Sequence, residues 1–152
     1  MKKRCDHRIS ALSRLVLALL LMSGVTAKAQ ISVIVAKSST HTAESNELKQ
    51  IFTGMKLNWS GGEKTVVVEQ SENATGKGFY ENFIGKSLSQ VRSGWSRLVL
   101  TGQASTPKRC VNDAAVKKAV AEDENAVGFI SSASLDESVK EIYRVITFTR
   151  SN

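Results

Sequence analysis

The chain has 152 residues, with 21 Lys/Arg against 14 Asp/Glu, a formal net charge of +7, and two cysteines. Six of those basic residues and one acidic residue fall in residues 1–29, so residues 30–152 carry 15 basic and 13 acidic side chains, a net charge of only +2. That balance removes the basic surface a nucleic-acid-binding domain needs, and with it the polybasic patch of a membrane-surface protein.

Residues 1–29 read as a secretory signal peptide. Lys2, Lys3, Arg4, Arg8 and Arg14 form a positive n-region, Leu15 to Val25 an apolar h-region, and Ala27-Lys28-Ala29 an A-x-A cleavage site before Gln30. The apolar run is too short for a membrane-spanning helix, which takes roughly 20 residues. The expected location is the periplasm. Residues 30–152 form a chain of one-domain size, long enough for a core without disulfides. They keep one cysteine, Cys110, and one histidine, His41. A paired-cysteine zinc site is excluded, and no metal or cofactor is expected. Burial is the commoner fate of a free cysteine.

In chain order, Ile31 to Ala36 is β-branched and apolar, a strand buried on both faces. A polar loop, 38–42, leads to a helix starting near Ala43 to Asn46. Its Leu48, Ile51 and Phe52 share one side, and Gly54 stops it. Asn58 to Gly62 is a turn, and Thr65 to Glu69 a second buried strand. Ser71 to Gly78 reads as a polar loop, followed by a short helix through Phe79, Phe83 and Ile84 that Gly85 ends. Ser87 and Gln90 fit a capping box, opening a helix striped by Leu88, Val91, Trp95, Leu98 and Val99. A connection holding Pro107, Lys108 and Arg109 follows, with a short strand through Val111. Asn112 caps a helix over 113–122, Ala126 to Ser131 is a strand, and Ile142 to Thr149 is the last strand. Strands alternating with helices predict an α/β layered domain with a largely parallel sheet.

The Ser71–Gly78 loop is the chief candidate site. It joins a buried strand to a helix, where backbone N–H groups favour an anion. Thr75, Gly76 and Lys77 bring a hydroxyl, a flexible backbone and a cation. A nucleotide P-loop is excluded, because Gly78 stands where its Mg²⁺-binding hydroxyl would be. A cysteine hydrolase built on Cys110 and His41 lacks any local signature. Lys108-Arg109 and Arg92/Arg97 are candidates to meet acidic partners, but solvated surface charge is the better explanation of them. Trp95 lies on the apolar stripe, whereas Trp59, in a turn, stays open between core and ligand stacking. Asn58-Trp59-Ser60 and Asn73-Ala74-Thr75 match the N-glycosylation pattern, which matters only in a eukaryotic secretory pathway.

Leu48 to Trp59 resembles the "IF-G-K-x-x-W" segment of phosphate-type solute-binding proteins of ABC transporters. Thr65 to Phe79 is similar to the strand and ligand loop that follow there, and Ala126 to Ser131 to a late "GxIGY" strand. Trp95-Ser96-Arg97-Leu98, Thr101-Gly102 and Thr106-Pro107 look like the short, single-lobe members. The resemblance implies a single three-layer α/β/α lobe of the type II periplasmic-binding-protein kind, matching only the second of two lobes. It implies a noncatalytic protein that binds phosphate or another oxyanion through Ser71, Asn73, Thr75, Gly76 and Lys77 and serves an ABC permease. Ser71 stands at the family's arginine position, Lys77 replaces a threonine, and Glu72 adds a negative charge. An anion held by one lobe stays half solvated and lacks a bidentate arginine, so weak binding is expected. The alternative is a periplasmic interaction or assembly module that keeps the fold without the solute. Oligomeric state is not legible.

Overall fold

The computed structural model describes residues 29–147. The expected signal segment, apart from Ala29, lies outside the described residues. No helix among the described residues is long and apolar enough to cross a membrane.

Five strands form one sheet: β1 (Ala29–Ala36), β2 (Val66–Gln70), β3 (Lys108–Cys110), β4 (Ala126–Ser131) and β5 (Val139–Thr147), in the order β3-β2-β4-β1-β5. Four α-helices pack on it: α1 (Ser45–Thr53), α2 (Ala74–Gly78), α3 (Leu88–Leu100) and α4 (Asp113–Ala121). The expected α/β lobe is present, but the sheet is mixed. β2 runs parallel to β3 and β4, whereas β1 runs antiparallel to β4 and β5. An apolar run shows that a strand is buried without showing its direction, and this is why the expectation of a largely parallel sheet fails. The last strand also starts earlier than expected, at Val139, because Val139 turns inward to the core on the α4 side.

Alternation along each strand splits the core in two. Val33, Val35, Val67, Val127 and Phe129 face α1, α3 and the segment after β2. There Phe79 stacks on Phe129 at 4.0 Å between ring centroids, and Phe52 meets Phe79 edge-on at 4.8 Å. Ile34, Val68, Ala126 and Ile130 face α4, with Leu135 packed against the same cluster. Gly128 lets α4 lie close to the sheet: a Cβ there would stand 2.8 Å from Val116 and 3.0 Å from Val120. On the other face, Gly54 ends α1 with φ +77°, a conformation that suits glycine, directly against Leu98 and Trp95 of α3.

The Ser71–Gly78 segment is shorter as a loop than expected. Asn73 caps α2 by accepting the Gly76 N–H, so helix begins at Ala74 and continues as a π-helical turn, Phe79–Ile84. This turn buries Phe79, Tyr80 and Phe83 and ends at Gly85. The Ser87/Gln90 capping box forms as expected, with the Gln90 N–H on Ser87 Oγ at 3.3 Å and the Ser87 N–H on Gln90 Oε1 at 2.9 Å. Trp59 belongs to the core: it is 2% exposed, donates Nε1–H to the Asn125 carbonyl and stacks on His41 at 4.6 Å.

Candidate functional site

Strands β3, β2 and β4 are parallel, so their C-terminal ends share one edge of the sheet. Open α/β sheets bind ligands at this edge. The loop after β2 lies there, as does the start of α4 just after β3. Ser71, Asn73, Thr75, Gly76 and Lys77, the residues expected to hold an anion, all lie in the segment that follows β2 at this edge.

Several of their polar groups are already engaged. The Gly76 N–H donates to Asn73 Oδ1 at 2.9 Å, and the Lys77 N–H to the Asn73 carbonyl at 2.9 Å. Ser71 Oγ donates to the Val111 carbonyl at 3.3 Å. Gly76 is pressed so close to the strand end that a Cβ would lie 2.5 Å from the Ser71 carbonyl oxygen. Thr75 is half-buried, and Lys77 is exposed. The Lys77 side chain lines a cavity of about 350 Å³ together with Glu72, Tyr80 and Glu81, so two carboxylates share the space with its one cation. Burial pushes the Tyr80 hydroxyl far above the ordinary tyrosine range, and the Glu69 charge adds to the effect.

A network not foreseen in the sequence stands beside the loop. Asn73 Nδ2 donates to Gln70 Oε1 (2.5 Å), and Gln70 Nε2 to Asp113 Oδ1 (2.6 Å). Asp113 Oδ2 accepts from Ser134 Oγ (2.6 Å) and the Ser131 N–H (3.3 Å). The ends of β2 and β4 and the start of α4 are thereby tied to one carboxylate. Gln70, at the end of a buried strand, is the available signal, since a 1%-exposed amide needs partners.

On the opposite face of β2, Glu69 is 2% exposed and holds two arginines. Arg109 Nε lies 2.7 Å and Arg92 Nε 3.1 Å from its Oε1, and Arg92 Nη1 reaches Glu72 at 3.3 Å. The chain brings together Arg92 and Arg109, which the sequence marks only as charges; the clue was a carboxylate inside a buried strand.

Cys110 is buried, and desolvation raises its thiol pKa against a smaller opposing pull from Lys108. His41 is committed elsewhere, with Nε2 3.0 Å from Asn125 Oδ1 and its ring on Trp59. The structure does not bring the two together as a nucleophile and base. No group of three or more His, Cys, Asp or Glu side chains placed to hold a metal occurs among the described residues.

This architecture resembles one lobe of the phosphate-type solute-binding proteins of ABC transporters. The chain is similar to an ABC-type phosphate transport receptor from Vibrio cholerae, with 26% identity and a TM-score of 0.59 over 75% of this chain and 47% of that one. It also resembles in fold a phosphate ABC transporter substrate-binding protein with bound phosphate from Clostridium perfringens (21%, TM-score 0.59, 75% and 45%) and PstS from Borrelia burgdorferi (14%, 0.54, 74% and 46%). The matched part of the chain spans less than half the length of each of these proteins. No family model and no curated protein sequence matches the chain.

Proposed function

We propose that the chain is an exported, noncatalytic binding lobe that takes a small oxyanion, phosphate first, at the junction of β2 and α2, in the service of an ABC-type uptake system. The observation that carries this reading is the position of Ser71–Lys77 at the C-terminal edge of β3, β2 and β4, in a fold shared with phosphate-binding proteins. Thr75 supplies a hydroxyl, and Lys77 supplies charge. Ser71, Asn73 and Gly76 have to release their present partners before they can serve the anion. Binding at an open lobe with these costs is weak.

Thermal unfolding of residues 30–152 with phosphate, against sulfate and chloride at matched ionic strength, tests the proposal. Phosphate at 100 times its dissociation constant adds about 2.7 kcal/mol of stability. A phosphate-selective rise that disappears in Lys77→Glu is the expected result. No rise at any concentration sinks the reading.

A second reading, an interaction or assembly module of the periplasm, is favoured by the Asn73 side chain, which already caps the Gly76 N–H. Under that reading phosphate changes nothing, and Lys77→Glu leaves partner association intact.

A further inference from the structure

The Glu69 side of β2 opens into a cavity of about 320 Å³ under α3. Its lining is mostly apolar, with Trp95, Val99, Leu100 and Pro107 beside the hydroxyls of Ser96 and Thr106, and it includes Arg92 and Arg109 next to Glu69. A volume of this order suits a small ligand. A carboxylate that is 2% exposed, hydrogen-bonded to Arg92 Nε and ion-paired with Arg109 Nε, holds both guanidiniums beside the cavity. Each guanidinium has five N–H donors. Glu69 and Glu72 take two of the Arg92 donors, Arg109 is ion-paired with Glu69, and the trio of Glu69, Arg92 and Arg109 keeps one net positive charge. Glu72, which also meets Arg92, is 74% exposed and screened by water.

A second observation points to the far end. Thr65 Oγ1 is the one buried side-chain polar atom without a hydrogen-bond partner among the described residues. The residue Thr65 is among those lining an adjoining cavity of about 120 Å³, which shares Trp95, Thr106 and Pro107 with the first. A buried hydroxyl without a partner costs stability, and a ligand that reaches past Trp95 supplies one.

We propose that these cavities bind a small amphipathic carboxylate. Its acid group lies on Arg92 and Arg109, its apolar body lies against Trp95 and Pro107, and a hydroxyl at its far end meets Thr65. This site lies on the α3 face of β2 and does not depend on the oxyanion loop.

Phenylpropanoate, para-hydroxyphenylpropanoate and phenylpropanol are the probes, titrated into residues 30–152 while the two indole N–H resonances are followed by NMR. Trp95 lines the cavity and is anchored by its bond to the Phe52 carbonyl, and Trp59 is an internal control. Both acids should shift the Trp95 signal saturably with Trp59 still, and the alcohol should bind about tenfold more weakly. Arg109→Met, at a 61%-exposed side chain, should keep the fold and lose about tenfold in acid affinity. Val99→Trp should block binding by filling the space with both arginines intact. The hydroxylated acid should bind more tightly than the plain acid, and Thr65→Val should erase that advantage. Absence of a saturable shift, equal binding of acid and alcohol, or unchanged affinity in Arg109→Met would overturn the proposal. Equal affinity of the two acids would overturn the placement of Thr65. A phosphate-induced shift at the loop alone would leave the oxyanion reading standing while this one falls.

Discussion

Glu69 and Gln70 are neighbours in sequence and face opposite sides of the sheet, and the two sides solve the same problem differently. On the Gln70 side, the Asp113 carboxylate is met by neutral donors, namely an amide, a hydroxyl and a backbone N–H. Each has few hydrogens and uses one here. On the Glu69 side the donors are guanidiniums, which carry more hydrogens than one carboxylate can take. A network of neutral donors closes on itself and serves to join elements. Arginines on a buried carboxylate leave donors facing outward, so that side can recognise something else.

The largest effect that would break this contrast belongs to Asp113. Asp113→Ala leaves Gln70 Nε2, Ser134 Oγ and the Ser131 N–H without their acceptor, and should cost about 2.5 kcal/mol in denaturant unfolding. A loss below about 1 kcal/mol would show that the network does not hold β2, β4 and α4 together. Glu69→Gln should cost less, about 1.5 kcal/mol, because Arg109 can turn into water and Arg92 keeps Glu72. The two also separate by salt: added NaCl should shrink the Glu69→Gln loss and leave the Asp113→Ala loss nearly unchanged. Equal salt sensitivity would erase the distinction.

Much of the framework of this contrast is legible in the sequence, and its polar detail is not. The run Thr65 to Glu69 identifies a buried strand because burial on both faces leaves a continuous apolar stretch. The Ser87/Gln90 box and the Gly54 and Gly85 stops identify helix ends because those positions answer to local chemistry. The reversal of β1 stayed hidden, since strand direction is decided by pairing across the chain. Glycines and polarity make Ser71–Gly78 read as a binding loop, yet Asn73 pulls Gly76 and Lys77 into a helix. An N-cap and an anion-binding loop use the same N–H groups, so composition cannot separate them. Asp113, Ser131 and Ser134 come from other elements, and only folding brings them to Gln70.

A smaller effect sharpens the comparison at the loop itself. Asn73→Ala removes the cap of α2 and its bond to Gln70, and should cost about 1 kcal/mol. The same change frees the Gly76 N–H. If Asn73 competes with an oxyanion, the phosphate response of the variant, scaled to its own stability, should rise. A response that falls would make Asn73 a ligand, as the sequence suggested.

A further effect is read at alkaline pH. Burial raises Cys110 above its ordinary value of 9.0, and burial plus the Glu69 charge raises Tyr80 above its ordinary value of 10.0. In both cases the unfolded chain loses its proton first. Stability is therefore full below pH 9, starts to fall as Cys110 passes its unfolded pKa, and falls more steeply above pH 10 through Tyr80. Cys110→Ala should remove the first part and Tyr80→Phe the second. The Tyr80 hydroxyl also senses which side of β2 is disturbed. Glu69→Gln removes a repulsion and leaves the opposing pull of Arg92, so Tyr80 should ionise at lower pH, followed as tyrosinate absorbance. Asp113→Asn, on the other face, should leave that titration where it was. A Tyr80 titration that moved in both variants would mean that the faces communicate through the sheet, and the contrast between a closed joint and an open site would need to be redrawn.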